Sequence, residues 1–196
     1  MTLVKICGLT REQDVDAAVA AGADMVGFVL VPETPRYVDR DRARALAARV
    51  PAGVKTVAVI DGGPKGPGPS EAGARPRSMQ GFDLIQTYDV PADFRDTIVA
   101  ARGEPPAGVP DDVPVLLDLP YGSRPEAGEL HSHWERAART RQPVMLAGGL
   151  HPGNVADAIA VARPWAVDTS RGVESAPGVK DHDLVTAFVR TAKEAS

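Results

Sequence analysis

The sequence predicts an α/β fold, a closed (β/α)8 barrel (TIM barrel) in a compact, partly trimmed form, and three observations lead there. Short apolar runs alternate with amphipathic stretches, eight of the runs have strand length, and the alternation is regular in the first and last thirds of the chain. A doubly wound open sheet uses the same strand–helix unit and is the structural alternative. At 196 residues the chain suits a single domain, residues 1–196, and is long enough to bury a substantial core.

Taken in order, residues 3–7 read as the first strand. Thr10 and Gln13 make a capping-box pair, Val15, Ala18 and Val19 follow at helical spacing, and Gly22 stops that helix. Residues 25–31 form a second strand, a loop runs through Pro32 and Pro35, and a helix from about Asp39 carries Ala43, Leu46, Ala47 and Val50 on one face. Residues 55–60 make the third strand. The pattern then breaks: from Gly62 to Arg77, nine of sixteen residues are Gly or Pro. Glycine costs backbone entropy and proline removes donors, so 62–77 is expected to be a loop replacing a helix.

Strand-like runs resume at 82–86, 97–101 and 113–118, joined by short segments with several prolines, so the third to fifth helices are expected to be shortened or lost. Regularity then returns. Trp134, Ala137 and Ala138 suggest a helix, 144–147 a strand, and Pro152 opens a helix carrying Val155 and Ile159. Residues 166–169 are the eighth strand, and Leu184, Val185, Phe188, Val189 and Ala192 mark a closing amphipathic helix.

Composition narrows the function. With 22 basic and 26 acidic residues and a formal charge of −4, no phosphate-backbone or membrane-surface partner is indicated. The single cysteine cannot form an internal disulfide, the N-terminus lacks a long apolar stretch, and no apolar run approaches the roughly 20 residues of a bilayer span, so a reducing cytoplasm fits. His131, His133 and His151 have no ligand-like spacing with carboxylates or the cysteine, and no metal or other cofactor is assigned. A monomer or a homodimer is expected.

That single cysteine, Cys7, ends the first strand, with a cation two residues before it and Gly8 after it, a placement suited to chemistry; the plainer reading is a small buried apolar residue. Ala147-Gly148-Gly149-Leu150 ends the seventh strand and Ser170-Arg171-Gly172-Val173 the eighth. Glycines there let backbone N–H groups approach a ligand, Ser170 and Arg171 add donors, and barrels commonly bind phosphate at this place. A Gly-Gly pair alone could equally be a tight turn, but two such segments on consecutive strands favour phosphate.

Several segments together carry a family resemblance: Lys5-Ile6-Cys7-Gly8-Leu9-Thr10, Gly22-Ala23-Asp24 with Gly27-Phe28, Pro35-Arg36, Leu116-Leu117-Asp118, Leu146 to Leu150 with Asn154-Val155, and Val167 to Ser170 continuing through Gly172-Val173-Glu174 to Pro177-Gly178 and Lys180-Asp181. In this order they resemble phosphoribosylanthranilate isomerase of tryptophan biosynthesis. The resemblance implies a (β/α)8 barrel that converts a phosphorylated ribosyl-amine into an aminoketose by a cofactor-free Amadori rearrangement. It further implies that Asp118 is the acid protonating the furanose oxygen, Cys7 the base at C2′, and Arg36 the receiver of the anthranilate carboxylate. Lys5, backbone dipoles or bound substrate would assist ionisation of the thiol, while partial burial would keep Asp118 protonated. Structural ion pairing is an equal alternative for Lys5 and Asp168.

The departures lie in the middle. Where the family normally has Gln-Leu-His-Gly, this chain has Gln86-Thr87-Tyr88-Asp89; the glycine-rich loop after the acid becomes Leu119 to Pro125, His133-Trp134 replaces its later part, and Arg171 stands where a second serine is frequent. Three functions stay open: the phosphoribosylanthranilate isomerase itself, an isomerase or lyase on a related phosphoribosyl-amine with a different aglycone, and a non-catalytic phosphosugar-binding barrel. Cys7, Asp118 and Arg36 together argue against the last, because binding phosphate requires none of them. A histidine-pathway type of isomerase would be expected to use aspartates in both catalytic positions, which Cys7 contradicts.

Overall fold

Eight parallel strands pair in chain order and the last returns to the first: β1 (Leu3–Cys7), β2 (Met25–Val29), β3 (Lys55–Ile60), β4 (Leu84–Thr87), β5 (Thr97–Arg102), β6 (Val115–Asp118), β7 (Val144–Leu146) and β8 (Ala166–Thr169). The computed structural model describes residues 1–60, 79–91, 93–120, 122–123 and 125–196. Closure puts Lys5 of β1 opposite Asp168 of β8, although the whole chain separates them.

The strand period of two sorts each strand into two faces. Met25, Val57, Ile98, Ala100, Leu116, Met145, Ala147 and Ala166 form one buried cluster that fills the barrel. Their neighbours, among them Val4, Ile6, Val26, Ala58, Val99, Leu117, Leu146 and Val167, belong to a second cluster that packs outward against the helices. Strands buried on both faces read as continuous apolar runs, which is why they were legible. Each fully buried Val, Leu or Phe contributes about 1.5–3 kcal/mol relative to exposure. In phase with the interior set, and therefore aimed along the barrel axis, stand Lys5 and Cys7 on β1, Gln86 on β4, Arg102 on β5, Asp118 on β6 and Asp168 on β8.

Among the described residues five α-helices cover the outside: α1 (Glu12–Ala20), α2 (Arg40–Ala47), α3 (Ala127–Arg139), α4 (Val155–Ala162) and α5 (His182–Glu194). The last buries Val185, Phe188, Val189 and Ala192, the i, i+3, i+4, i+7 stripe its sequence announced. Asp39 caps α2 by accepting the Arg42 N–H. The expected capping box on α1 is not there. That helix begins at Glu12 with Arg11 at its N-cap and no side-chain cap, while the Thr10 hydroxyl donates across the mouth to the Gly178 carbonyl at 2.7 Å. A capping box does start α3, between Glu126 and Glu129.

Trimming of the middle is visible where it can be read: 88–96 and 103–114, apart from residue 92, link β4 to β5 and β5 to β6 without a helix. The expected loop at 62–77 lies outside the described residues. An antiparallel hairpin, β9 (Glu174–Ala176) with β10 (Val179–Lys180), follows β8 and was not anticipated. Among the described residues no helix is long and apolar enough to cross a membrane.

Candidate active site

All seven residues singled out from the sequence, Cys7, Arg36, Asp118, Gly148, Gly149, Ser170 and Arg171, line one pocket at the C-terminal mouth of the barrel. Active sites of this architecture are built at that end, from strand termini and the loops that follow them.

Cys7 is free and buried. Beneath it Lys5, wholly buried, donates to Asp168 at 2.9 Å and to Gln86 at 3.0 Å. Burial alone would drive the ammonium toward neutrality, but the Asp168 charge and the adjacent Cys7 outweigh it and hold the Lys5 pKa above the ordinary lysine value. The same cation favours the Cys7 thiolate by charge and hydrogen bonding, yet burial is the larger influence and leaves the thiol pKa raised. Lys5 therefore moderates a penalty that it does not abolish. Gly27 on β2 makes the arrangement possible: a Cβ there would lie 2.9 Å from the Cys7 Sγ and 3.2 Å from the Lys5 Cε.

Asp118 ends β6, on a wall separated from Cys7 by β7 and β8. Its Oδ1 accepts the Leu119 N–H at 2.8 Å and its Oδ2 the Tyr88 hydroxyl at 3.3 Å. Burial raises the carboxyl pKa despite these donors, so the acid form is favoured relative to a solvated aspartate. The mouth thus holds a thiol and a carboxyl, both pushed upward by desolvation. They are suited to share one proton.

Arg36 is not free. Its Nε donates to Glu174 at 2.8 Å and its Nη2 to the same carboxylate, and Glu174 also receives Lys180 at 2.9 Å. Burial would raise the Glu174 pKa, but Arg36 and Lys180 hold it below the usual glutamate value. Lys180 continues to the Ser170 carbonyl at 3.0 Å and hydroxyl at 3.3 Å, fixing the loop after β8. On the neighbouring loop Gly148 and Gly149 have φ of 87° and 71°, a left-handed pair that side chains with a Cβ avoid. Asn154 pins that loop by donating to the Gly149 carbonyl at 3.0 Å and accepting the His151 N–H at 2.8 Å. At Gly172 a Cβ would fall 1.9 Å from the Leu150 carbonyl oxygen, so glycine is what lets the two loops touch. Two glycine-bearing loops with Ser170 and Arg171 beside them line one concavity, an arrangement whose backbone N–H groups and side-chain donors suit an anion.

Five further residues shape the mouth without having been chosen from the sequence as site residues: Tyr88, Arg102, Gln86, Glu174 and Lys180. Strand parity was the available signal for three of them, since Gln86, Tyr88 and Arg102 fall in phase with the inward Leu84, Ile98 and Ala100. Glu174 and Lys180 stood in the segments that carry the family resemblance, but their pairing with each other and with Arg36 depends on the hairpin and on the loop after β2. His133 is buried in α3 with its Nε2 3.0 Å from the Ala147 carbonyl, so that nitrogen carries a proton; burial lowers its pKa, which favours the neutral ring. No metal-ligating group of three or more His, Cys, Asp or Glu occurs among the described residues.

The comparisons with known proteins agree with this geometry. The family model for N-(5′-phosphoribosyl)anthranilate (PRA) isomerase matches residues 79–191. The chain is 40% identical to the N-(5′-phosphoribosyl)anthranilate isomerase of Bordetella parapertussis, over 98% of this chain and 96% of that one. It is 38% identical to that of Haloarcula marismortui, over 100% and 98%. Among solved structures, TrpF from Jonesia denitrificans superimposes with a TM-score of 0.79 at 33% identity, covering 100% of this chain and 98% of that one. A phosphoribosyl anthranilate isomerase in complex with reduced 1-(o-carboxyphenylamino)-1-deoxyribulose 5-phosphate gives a TM-score of 0.75 at 29% identity, covering 99% and 100%. From its anion loops to its thiol and carboxyl, and by full-length similarity, this chain belongs to the N-(5′-phosphoribosyl)anthranilate isomerase family.

Proposed function

We infer that this chain catalyses the Amadori rearrangement of N-(5-phosphoribosyl)anthranilate to 1-(2-carboxyphenylamino)-1-deoxyribulose 5-phosphate, a step of tryptophan biosynthesis, in the cytoplasm. The observation that carries the reading is the pairing of Cys7, over the Lys5 cation, with a partly buried Asp118 in one pocket that also contains the two glycine loops.

In this reading the substrate phosphate sits against Gly148, Gly149, Ser170 and Arg171. Asp118 gives its proton to the furanose oxygen as the C1′–O bond breaks, and the nitrogen lone pair forms the C=N bond of a protonated Schiff base. That iminium acidifies the C2′ hydrogen. The Cys7 thiolate removes it, the C2′–H pair forms a C1′–C2′ double bond as the C=N π pair returns to nitrogen, and the enolamine becomes the ketone by losing its hydroxyl proton to the Asp118 carboxylate and gaining one at C1′ from the Cys7 thiol, which restores both groups. No electrons leave the substrate, so neither an oxidant nor a reductant is needed. Arg36 serves the aromatic carboxylate; Glu174 already occupies its Nε–Nη2 edge, so the incoming carboxylate either uses Nη1 or displaces Glu174.

The test is to mix the protein with freshly prepared phosphoribosylanthranilate and follow loss of its fluorescence. Turnover well above a Cys7→Ser control is expected; equal traces for the two would sink the reading.

A further inference from the structure

The acid has a partner that the departure from the family pattern conceals. At the position where the family normally carries a histidine this chain has Tyr88, and its hydroxyl reaches Asp118 Oδ2 at 3.3 Å. The other carboxyl oxygen, Oδ1, is engaged by the Leu119 N–H at 2.8 Å, which can only donate. Oδ2 is thus the oxygen left to carry the proton, and it is the one that Tyr88 faces. Because the Tyr88 hydroxyl donates to Oδ2, the Oδ2 proton is left to point away from the phenol, and the same hydrogen bond strengthens as Oδ2 takes on charge.

The ring is held for this purpose. The Arg102 guanidinium lies 4.1 Å from the centroid of the Tyr88 ring, and Arg102 is the Cα partner of Asp118 in the β5–β6 ladder, so cation, phenol and acid belong to one wall. Tyr88 is mostly buried, and burial with the neighbouring Asp118 charge raises its pKa, so the phenol keeps the hydrogen it needs in order to donate.

We propose that Tyr88, clamped under Arg102, is a positioning residue for the general acid: its hydroxyl aims the Asp118 Oδ2 proton at the substrate and donates to the carboxylate left behind. In the step itself the Oδ2–H bond breaks as the hydrogen passes to the furanose oxygen, the pair stays on Oδ2, and the Tyr88 O–H that already donates to Oδ2 stabilises the charge formed there. The proposal rests on the isomerase reading for its substrate, and the test separates the two.

Parent, Tyr88→Phe, Tyr88→His and Asp118→Asn proteins are compared in kcat and KM for phosphoribosylanthranilate across pH. In parallel the infrared band of the protonated Asp118 carboxyl, identified by its loss in Asp118→Asn, is titrated without substrate. In Tyr88→Phe, kcat falls about tenfold with KM changed less than about threefold, as expected for an interaction that strengthens in the transition state. Removing a donor to the carboxylate also moves the Asp118 titration upward, by about half a pH unit or more. Tyr88→His recovers most of kcat, because an imidazole can again hydrogen-bond the acid. An unmoved Asp118 titration, or a loss confined to KM, overturns the proposal. Absence of turnover in the parent sinks the isomerase reading alone, because the infrared titration still decides whether Tyr88 governs Asp118.

Discussion

The two sides of this barrel are built differently although the proposed mechanism draws one reacting group from each. On the arc β7–β8–β1–β2 every strand is followed by a helix, and the polar side chains at the mouth are tied by ion pairs: Lys5 to Asp168, and Arg36 and Lys180 to Glu174. On the arc β4–β5–β6 the two connections have no helix among the described residues, yet Asp118 is held as closely, by a backbone N–H and a phenol. A helix is therefore not what positions a catalytic side chain here. Ladder register and a filled interior do that: Ile98, Val99, Ala100, Leu116 and Leu117 are all essentially inaccessible to solvent. In the proposed mechanism the first arc holds the base by opposing charges, and the second, at the end of β6 before α3, holds the acid by partial burial.

Breaking each arc's reacting group in turn gives the largest effect. Cys7→Ser and Asp118→Asn are each expected to lower kcat by about a thousandfold or more in the fluorescence assay, with the fold intact by circular dichroism. A large loss on one side only would mean that the two arcs do not share the reaction.

The pH profile sharpens the same contrast, because each limb belongs to one arc. Activity needs one proton between the two groups, so it is lost as pH falls through the Asp118 pKa, where both are protonated, and as pH rises through the Cys7 pKa, where both are ionised. Burial raises both values in the protein without substrate, so in the proposed mechanism the bell in kcat/KM is displaced to the alkaline side of the ordinary carboxylate and thiol ranges, falling about tenfold per pH unit outside its limbs. A profile falling only near the ordinary carboxylate range would contradict the burial argument for Asp118.

Stability should divide unequally between the arcs. Lys5→Met leaves Asp168 as a buried charge without its partner and is expected to cost about 3–5 kcal/mol in denaturant unfolding. It should also move the thiolate absorbance of Cys7 to higher pH, because the cation that favours ionisation is gone. Arg102→Met on the bare arc, where the side chain is exposed, should leave the unfolding midpoint near that of the parent. Between these two falls Glu174→Gln, which weakens charge-assisted bonds to Arg36 and Lys180 by about 1.5–3 kcal/mol, read as a shift of the thermal midpoint of a few degrees. An unchanged midpoint there would mean that the Arg36–Glu174–Lys180 cluster positions loops without stabilising them.

Much of the frame was legible from residues alone. The strands of 3–7, 55–60 and 166–169 were bounded as the structure has them, and Asp39 and Gly22 marked the start of α2 and the end of α1, because burial on both faces, capping and left-handed turns are local in sequence. The α1 capping box failed for the opposite reason. Thr10 had a better acceptor in the Gly178 carbonyl, 168 residues away, which no local spacing could reveal. At position 88 the absence of histidine was noticed and the arriving hydroxyl was not, although strand parity aimed it inward.

The sequence by itself determined the alternation of strand and helix, the trimmed middle, and which residue types stand at strand ends, because hydrophobic period and turn chemistry depend on near neighbours. The tertiary structure alone decided what those residues do for one another. Closing the barrel brings Asp168 and Gln86 to Lys5 across 163 and 81 positions, and sets Glu174 on Arg36 across 138. Such partnerships depend on strand register and the return of β8 to β1. They exist only once the sheet has closed, and they decide whether Cys7 and Asp118 can share a proton.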